Sequence, residues 1–112
     1  MPPSRTVTLR RGFHLEGRSE RLSPDATSTY VIHMDELERI ELQVGATNGH
    51  SLVNGEQRSL PIGSTLKDGV FYWQAGPGFL GEYDFLFERP DGAPVRTRVV
   101  IHPKSYLPAR LQ

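Results

Sequence analysis

A chain of 112 residues has the length of one domain and can hide roughly two-thirds of its unfolded surface in a single core. It has no cysteine, which excludes disulfides and thiolate metal sites, and its thirteen basic residues balance thirteen acidic ones. A neutral chain without a basic block lacks the electrostatic footprint of a nucleic-acid binder, and no apolar run approaches the ~20 residues of a membrane-spanning helix, so neither nucleic acid nor membrane insertion is expected.

Residues 1–5, Met-Pro-Pro-Ser-Arg, read as a disordered lead-in with no apolar segment and therefore as no signal peptide. The protein is then either cytosolic or a domain taken from a longer secreted chain. Residues 6–15 alternate weakly, with Val7 and Leu9 on one face; Gly12 interrupts the run as a bulge, and Phe13 and Leu15 resume the inward set. Residues 16–28 are charged, small or turn-forming and read as a loop, with Pro24-Asp25 as its clearest turn. Residues 29–34 form a strand with Tyr30, Ile32 and Met34 on one side.

The next stretch supports two readings. Asp35 could cap a helix whose apolar stripe is Leu37, Ile40 and Val44. Against that, Ile40, Leu42 and Val44 alternate strictly with Glu41 and Gln43 and stop at Gly45, which favours a turn at 35–38 and a strand at 39–45. Asn48-Gly49 and Asn54-Gly55 are turn signals on either side of a short strand that begins at His50. Leu60-Pro61-Ile62-Gly63 is a tight apolar connector, and Lys67-Asp68-Gly69 a further turn.

Residues 69–103 hold the tryptophan, four of the five phenylalanines and two of the four tyrosines. They divide into three strands, at 70–73, 82–89 and 95–101, with Gly76-Pro77-Gly78 as the corner between the first two. A five-residue hairpin loop at 90–94 would set Glu88 opposite Arg96 and Leu86 opposite Arg98. It would also set Phe87 opposite Thr97, Phe85 opposite Val99 and Tyr83 opposite Ile101, so that inward positions meet inward positions. Residues 105–112 carry Pro108 and Arg110 and little pattern, and read as a tail or linker, leaving 6–104 as the folded domain. The expected core is Ile40, Leu42, Val44, Phe71, Trp73, Tyr83, Phe85, Phe87, Val99 and Ile101. About seven short strands joined by turns point to an all-β sandwich or barrel.

Three motifs in order carry a resemblance: Leu60-Pro61-Ile62-Gly63-Ser64-Thr65-Leu66, then Gly69-Val70-Phe71-Tyr72-Trp73, then Gly78-Phe79-Leu80-Gly81-Glu82-Tyr83-Asp84-Phe85, followed by a last strand after Asp91-Gly92. Together they resemble the immunoglobulin-like, cadherin-like modules of bacterial surface and secreted multidomain proteins. The resemblance covers about the last 45 residues, and the first half only by length and strand count. It implies an immunoglobulin-like β-sandwich of about seven antiparallel strands, an extracellular or cell-envelope location, and no catalysis. The Gly81-x-Tyr83-x-Phe85 spacing also resembles a tyrosine corner, whereas Trp73 precedes that corner and so departs from the antibody pattern.

Few residues argue for chemistry. The glycines at 76–81 precede a strand and lack a Gly-Lys-Ser/Thr ending, so they form a turn and not a phosphate cradle. His14, His33, His50 and His102 share no metal-ligand spacing, and His33 with Asp35 lacks a third ligand, so no metal or cofactor is assigned. Calcium rests on the family analogy alone and is unsupported, because Asp35, Glu36, Glu38 and Glu41 contain no Asp-x-Asp run. Ser64 or Ser51 with His50 has no nucleophile elbow around it, so no catalytic residue is assigned.

The outward positions of the aromatic segment are more informative. With Phe71 and Trp73 inward, Tyr72 points out, and Leu86 and Val100 beside Arg96 and Arg98 would complete a contact patch for a protein partner or neighbouring domain. The simpler alternative is that Tyr72 covers Leu86 locally. The expected function is a non-catalytic structural spacer or protein-interaction module. The alternative is a module binding carbohydrate or protein through Tyr72, Leu86 and Arg98 or the loops at 46–50 and 74–80; a small enzyme or assembly subunit ranks third.

Overall fold

The structure, a computed structural model, describes residues 7–12 and 19–103. They form ten strands and no helix: β1 (Val7–Arg11), β2 (Ser19–Leu22), β3 (Thr29–Asp35), β4 (Arg39–Gln43), β5 (Asn48–Val53), β6 (Glu56–Arg58), β7 (Ser64–Lys67), β8 (Val70–Gln74), β9 (Gly81–Glu88) and β10 (Pro94–His102). One sheet has the order β2-β1-β4-β8-β7 and the other β3-β10-β9-β5-β6. All described pairings are antiparallel except β3 with β10, which run parallel from Thr29↔Arg96 to Asp35↔His102.

The two sheets bury their inward faces against each other as a β-sandwich. Phe71 of the first sheet lies 5.3 Å from Phe85 and 5.1 Å from Phe87 of the second, and Trp73 meets Tyr83 and Phe85 edge-on at 5.5 and 5.6 Å. Each such side chain contributes about 1.5–3 kcal/mol by leaving water. Every residue of the expected core is buried except Tyr83, which is half-buried at the rim. Its hydroxyl donates to the Leu80 carbonyl at 3.1 Å, closing the corner anticipated at the start of β9. Among the described residues, two buried side-chain polar atoms have no hydrogen-bond partner, Trp73 Nε1 and Thr97 Oγ1.

Ten strands replace the expected seven, and the arrangement is not wholly antiparallel. The strands that pattern alone did not reveal, β2, β6 and β7, all lie at sheet edges. An edge strand packs little against the core, so its residues need no inward apolar row, and β6 is exposed throughout. β2 thus occupies part of the expected 16–28 loop. Gly12 ends β1 instead of bulging it, and the continuation through Phe13 and Leu15 lies outside the described residues, as do the expected lead-in and tail. The 35–38 turn forms, and strand β4 follows it in place of the alternative helix.

Asn54-Gly55 and Asp68-Gly69 both have positive φ at two consecutive residues, the requirement of a two-residue type I′ hairpin. Asn48-Gly49 is no turn but the first part of β5. Gly49 stands opposite Phe87 in the ladder, and a Cβ there would lie 2.5 Å from Phe87 Cδ1. The glycine leaves space for a ring.

The β9–β10 hairpin closes one residue earlier than expected. Arg89 N–H donates to the Ala93 carbonyl, Gly92 N–H to the Arg89 carbonyl, and Ala93 N–H to Asp91 Oδ1. Glu88 therefore faces Pro94, Leu86 faces Arg96, Phe85 faces Thr97, and Arg98 faces Asp84. A loop moved by one residue shifts the register by two, which leaves the inward and outward sets unchanged. Pro94 is tolerated as the first residue of its strand, before the pairing with β3 begins.

Candidate functional site

Four of the five expected contact residues do share a surface, the outward face of the second sheet. Across its ladders Arg96 stands opposite Leu86, Arg98 opposite Asp84, and Val100 between His33 and Glu82. The surface is not the apolar patch expected of it. Arg98 Nε donates to Asp84 Oδ1 at 2.8 Å and lies 3.8 Å from Glu82, and this charged rung separates half-buried Leu86 from half-buried Val100. The hydrogen bond that Arg98 donates to Asp84, then the charges of Asp84 and Glu82, hold the guanidinium above its usual range. The two-residue register shift builds the rung: in the expected register Arg98 would have faced Leu86.

Tyr72 lies elsewhere, on the outward face of the first sheet, between Glu41 of β4 and Thr65 of β7. The Arg39 guanidinium covers its ring at 5.5 Å and is paired with Glu41. Strands β8 and β9 are consecutive in the chain, but the corner between them crosses from one sheet to the other. Tyr72 and Leu86 therefore face opposite sides of the sandwich, and neither the five-residue patch nor local cover of Leu86 by Tyr72 exists.

The remaining candidates are scattered. Ser64, on β7 of the first sheet, donates its hydroxyl to the Pro61 carbonyl, while His50 and Ser51 lie on β5 of the second sheet and point to opposite faces. No group of three or more histidine or acidic side chains among the described residues could hold a metal.

Two features were not legible beforehand. A groove of about 420 Å³ opens beyond the end of the β5–β9 pairing, lined by Leu52, Val53, Arg58, Pro61, Glu82 and Tyr83 among others. The last β5–β9 pair is Leu52↔Asp84, so β9 continues to Gly81 without β5 beside it. Exposed Ile62, at 88% of its full accessibility, directly follows Pro61 of the groove wall. The second feature is a histidine pair. His33 Nδ1 and His102 Nε2 lie 2.9 Å apart, with the rings nearly parallel at 15°. The parallel β3–β10 ladder brings them together across 69 residues of chain.

Comparison with known families and with curated proteins finds no match to the chain.

Proposed function

We propose that the protein is a non-catalytic immunoglobulin-like module that spaces or docks neighbouring domains of an extracellular or cell-envelope protein. The observation that carries this reading is the polarity of the terminal strands. β1 enters beside the end of β4, at Thr8↔Gln43, and runs down to Ile40. β10 leaves at the opposite end, where the His102 backbone carbonyl accepts a hydrogen bond from Glu36 N–H. A chain that enters at one end of a sandwich and leaves at the other can be strung into an extended array.

The strand order supports the immunoglobulin-like part of the reading. The runs β1-β4-β8-β7 and β5-β9-β10 correspond to the ABED and CFG sheets of that class, with β2, β3 and β6 as additions at the edges. The Tyr83 corner lies in the matching place, at the entry to the sixth of these seven strands. The bacterial surface setting follows from the motif resemblance alone.

The test is a tandem of two copies joined through the chain's own termini. It should melt as the single copy does, and its maximum dimension in X-ray scattering should grow by roughly the length of β10, ~30 Å at 3.3 Å per residue. A tandem no longer than one copy would overturn the spacer reading. The groove beside Tyr83 favours a second reading, a module that takes a ligand there. Its volume falls within the ~300–1,000 Å³ of small-ligand sites.

A further inference from the structure

We propose that His33 and His102 form a binding site for a divalent transition-metal ion, with Cu²⁺ held more tightly than Ni²⁺ or Zn²⁺. The spacing of the two ring nitrogens fits two ligands on one ion. A metal–imidazole bond is ~2.0–2.1 Å, so two such bonds at a right angle put the nitrogens about 2.9 Å apart, and at a tetrahedral angle about 3.3 Å. His33 Nδ1 and His102 Nε2 are 2.9 Å apart. The two nitrogens already have the separation of neighbouring ligands on one ion; they face each other end to end across 2.9 Å, with ring centres 5.2 Å apart, so a tilt of about 45° in each ring brings both lone pairs to a common point at a right-angled site. Both side chains are exposed, so the tilt meets no packing and the remaining coordination positions are open to water.

The surroundings suit a cation. On the same face Asp35 stands opposite His102 and Glu82 opposite Val100 in the ladders. Glu36 and Glu38 are in the turn that follows, where Glu38 accepts from Asp35 N–H. Among the described residues, Arg98 beside this face is shared between Asp84 and Glu82, and Arg11, which reaches the same turn from β1, pairs with Glu20 and Glu38. Imidazole donors select the later first-row metals, and affinity rises through nickel to copper before falling at zinc. Calcium, which needs six to eight oxygens, gains nothing from this pair.

Binding would also have a structural consequence. His33 is on β3 and His102 on β10, so an ion held by both would cross-link the parallel pair at the edge of the second sheet. Because the pair exists only when those strands are aligned, the ion should stabilise the folded state by mass action.

The experiment uses the untagged full chain titrated with Cu²⁺, Ni²⁺, Zn²⁺ and Ca²⁺, followed by calorimetry and thermal melting. His33→Gln, His102→Gln and, as a control, His50→Gln accompany it; all three positions lie on strand surfaces. The expected result is one site with Cu²⁺ tightest, a metal-dependent rise in Tm, and no response to Ca²⁺. Either His33→Gln or His102→Gln should weaken binding by more than the ~10–100-fold that loss of an outer-shell partner costs, and should abolish the Tm rise. His50→Gln should leave both intact. Absence of a saturable site, or binding that survives both substitutions at the pair, would overturn the proposal and leave the two imidazoles as a hydrogen-bonded pair only. Neither result bears on the tandem-array test, which does not depend on metal.

Discussion

Replacing Gly49 by alanine separates two opposed effects of a methyl group. In a chain-entropy argument Gly→Ala stabilises by ~0.4–1 kcal/mol, because the unfolded state loses freedom. Gly49 has no left-handed backbone to forbid the change. The structure predicts the opposite sign. The new Cβ would lie 2.5 Å from Phe87 Cδ1 and 2.8 Å from Cε1, against an ordinary carbon–carbon contact of ~3.5–4.0 Å. The ring must therefore withdraw by about 1 Å. It cannot do so freely, because Phe87 is fully buried with Phe71 at 5.1 Å and Phe85 at 6.2 Å.

Overpacking of this kind costs ~1–3 kcal/mol. Set against the entropy gain, Gly49→Ala should lose about 1–2 kcal/mol, and each kcal/mol lowers Tm by roughly 4–8 °C in a domain of this size. Urea denaturation should show a lower midpoint at unchanged slope. A double-mutant cycle with Phe87→Leu should return a coupling of about 0.5–3 kcal/mol, since the smaller side chain makes room for the methyl. A stabilised Gly49→Ala protein, or a coupling near zero, would refute the steric account.

Three further expectations follow from single groups. Thr97 is buried between Tyr30 and Phe85 in the ladders, and its hydroxyl has no partner among the described residues, so Thr97→Val should raise stability by about 1–2 kcal/mol; a lower urea midpoint would show that the hydroxyl is satisfied. Tyr83→Phe removes the bond to Leu80 from a half-buried rim position and should cost ~0.5–1.5 kcal/mol, whereas an unchanged melting curve would make the corner bond inert. The Thr27 hydroxyl and the backbone N–H groups of Thr29 and Thr27 hold the Asp25 carboxyl below its ordinary value of 3.8. A lowered carboxyl stabilises the fold fully above its unfolded value and loses that contribution as pH falls through the lower folded one. The stability gap between the native chain and Asp25→Asn should therefore narrow across the acid limb, and a gap that does not change with pH would contradict the assignment.

Much of the core was legible because it depends on period alone. Alternation at Tyr30-Ile32-Met34, Ile40-Leu42-Val44, Phe71-Trp73, Phe85-Phe87 and Val99-Ile101 states which side of a strand is apolar, and burial follows wherever that side meets another sheet. The turn pairs Asn54-Gly55 and Asp68-Gly69 were equally plain, since few residue pairs accept two consecutive positive φ values.

What tertiary structure decided was adjacency. The sheet to which a strand belongs is not written in its own residues, so Tyr72 and Leu86, close in the chain, face opposite sides of the sandwich. Asn48-Gly49 carries the letters of a turn, yet it pairs with β9 as strand, and the glycine serves to admit the ring of Phe87 across the ladder. His33 and His102 looked scattered because only the parallel β3–β10 ladder joins them. Local pattern determines the face of a strand, through the alternation of Cβ directions; its neighbours are chosen by the packing of the whole chain, and the surface chemistry depends on those neighbours.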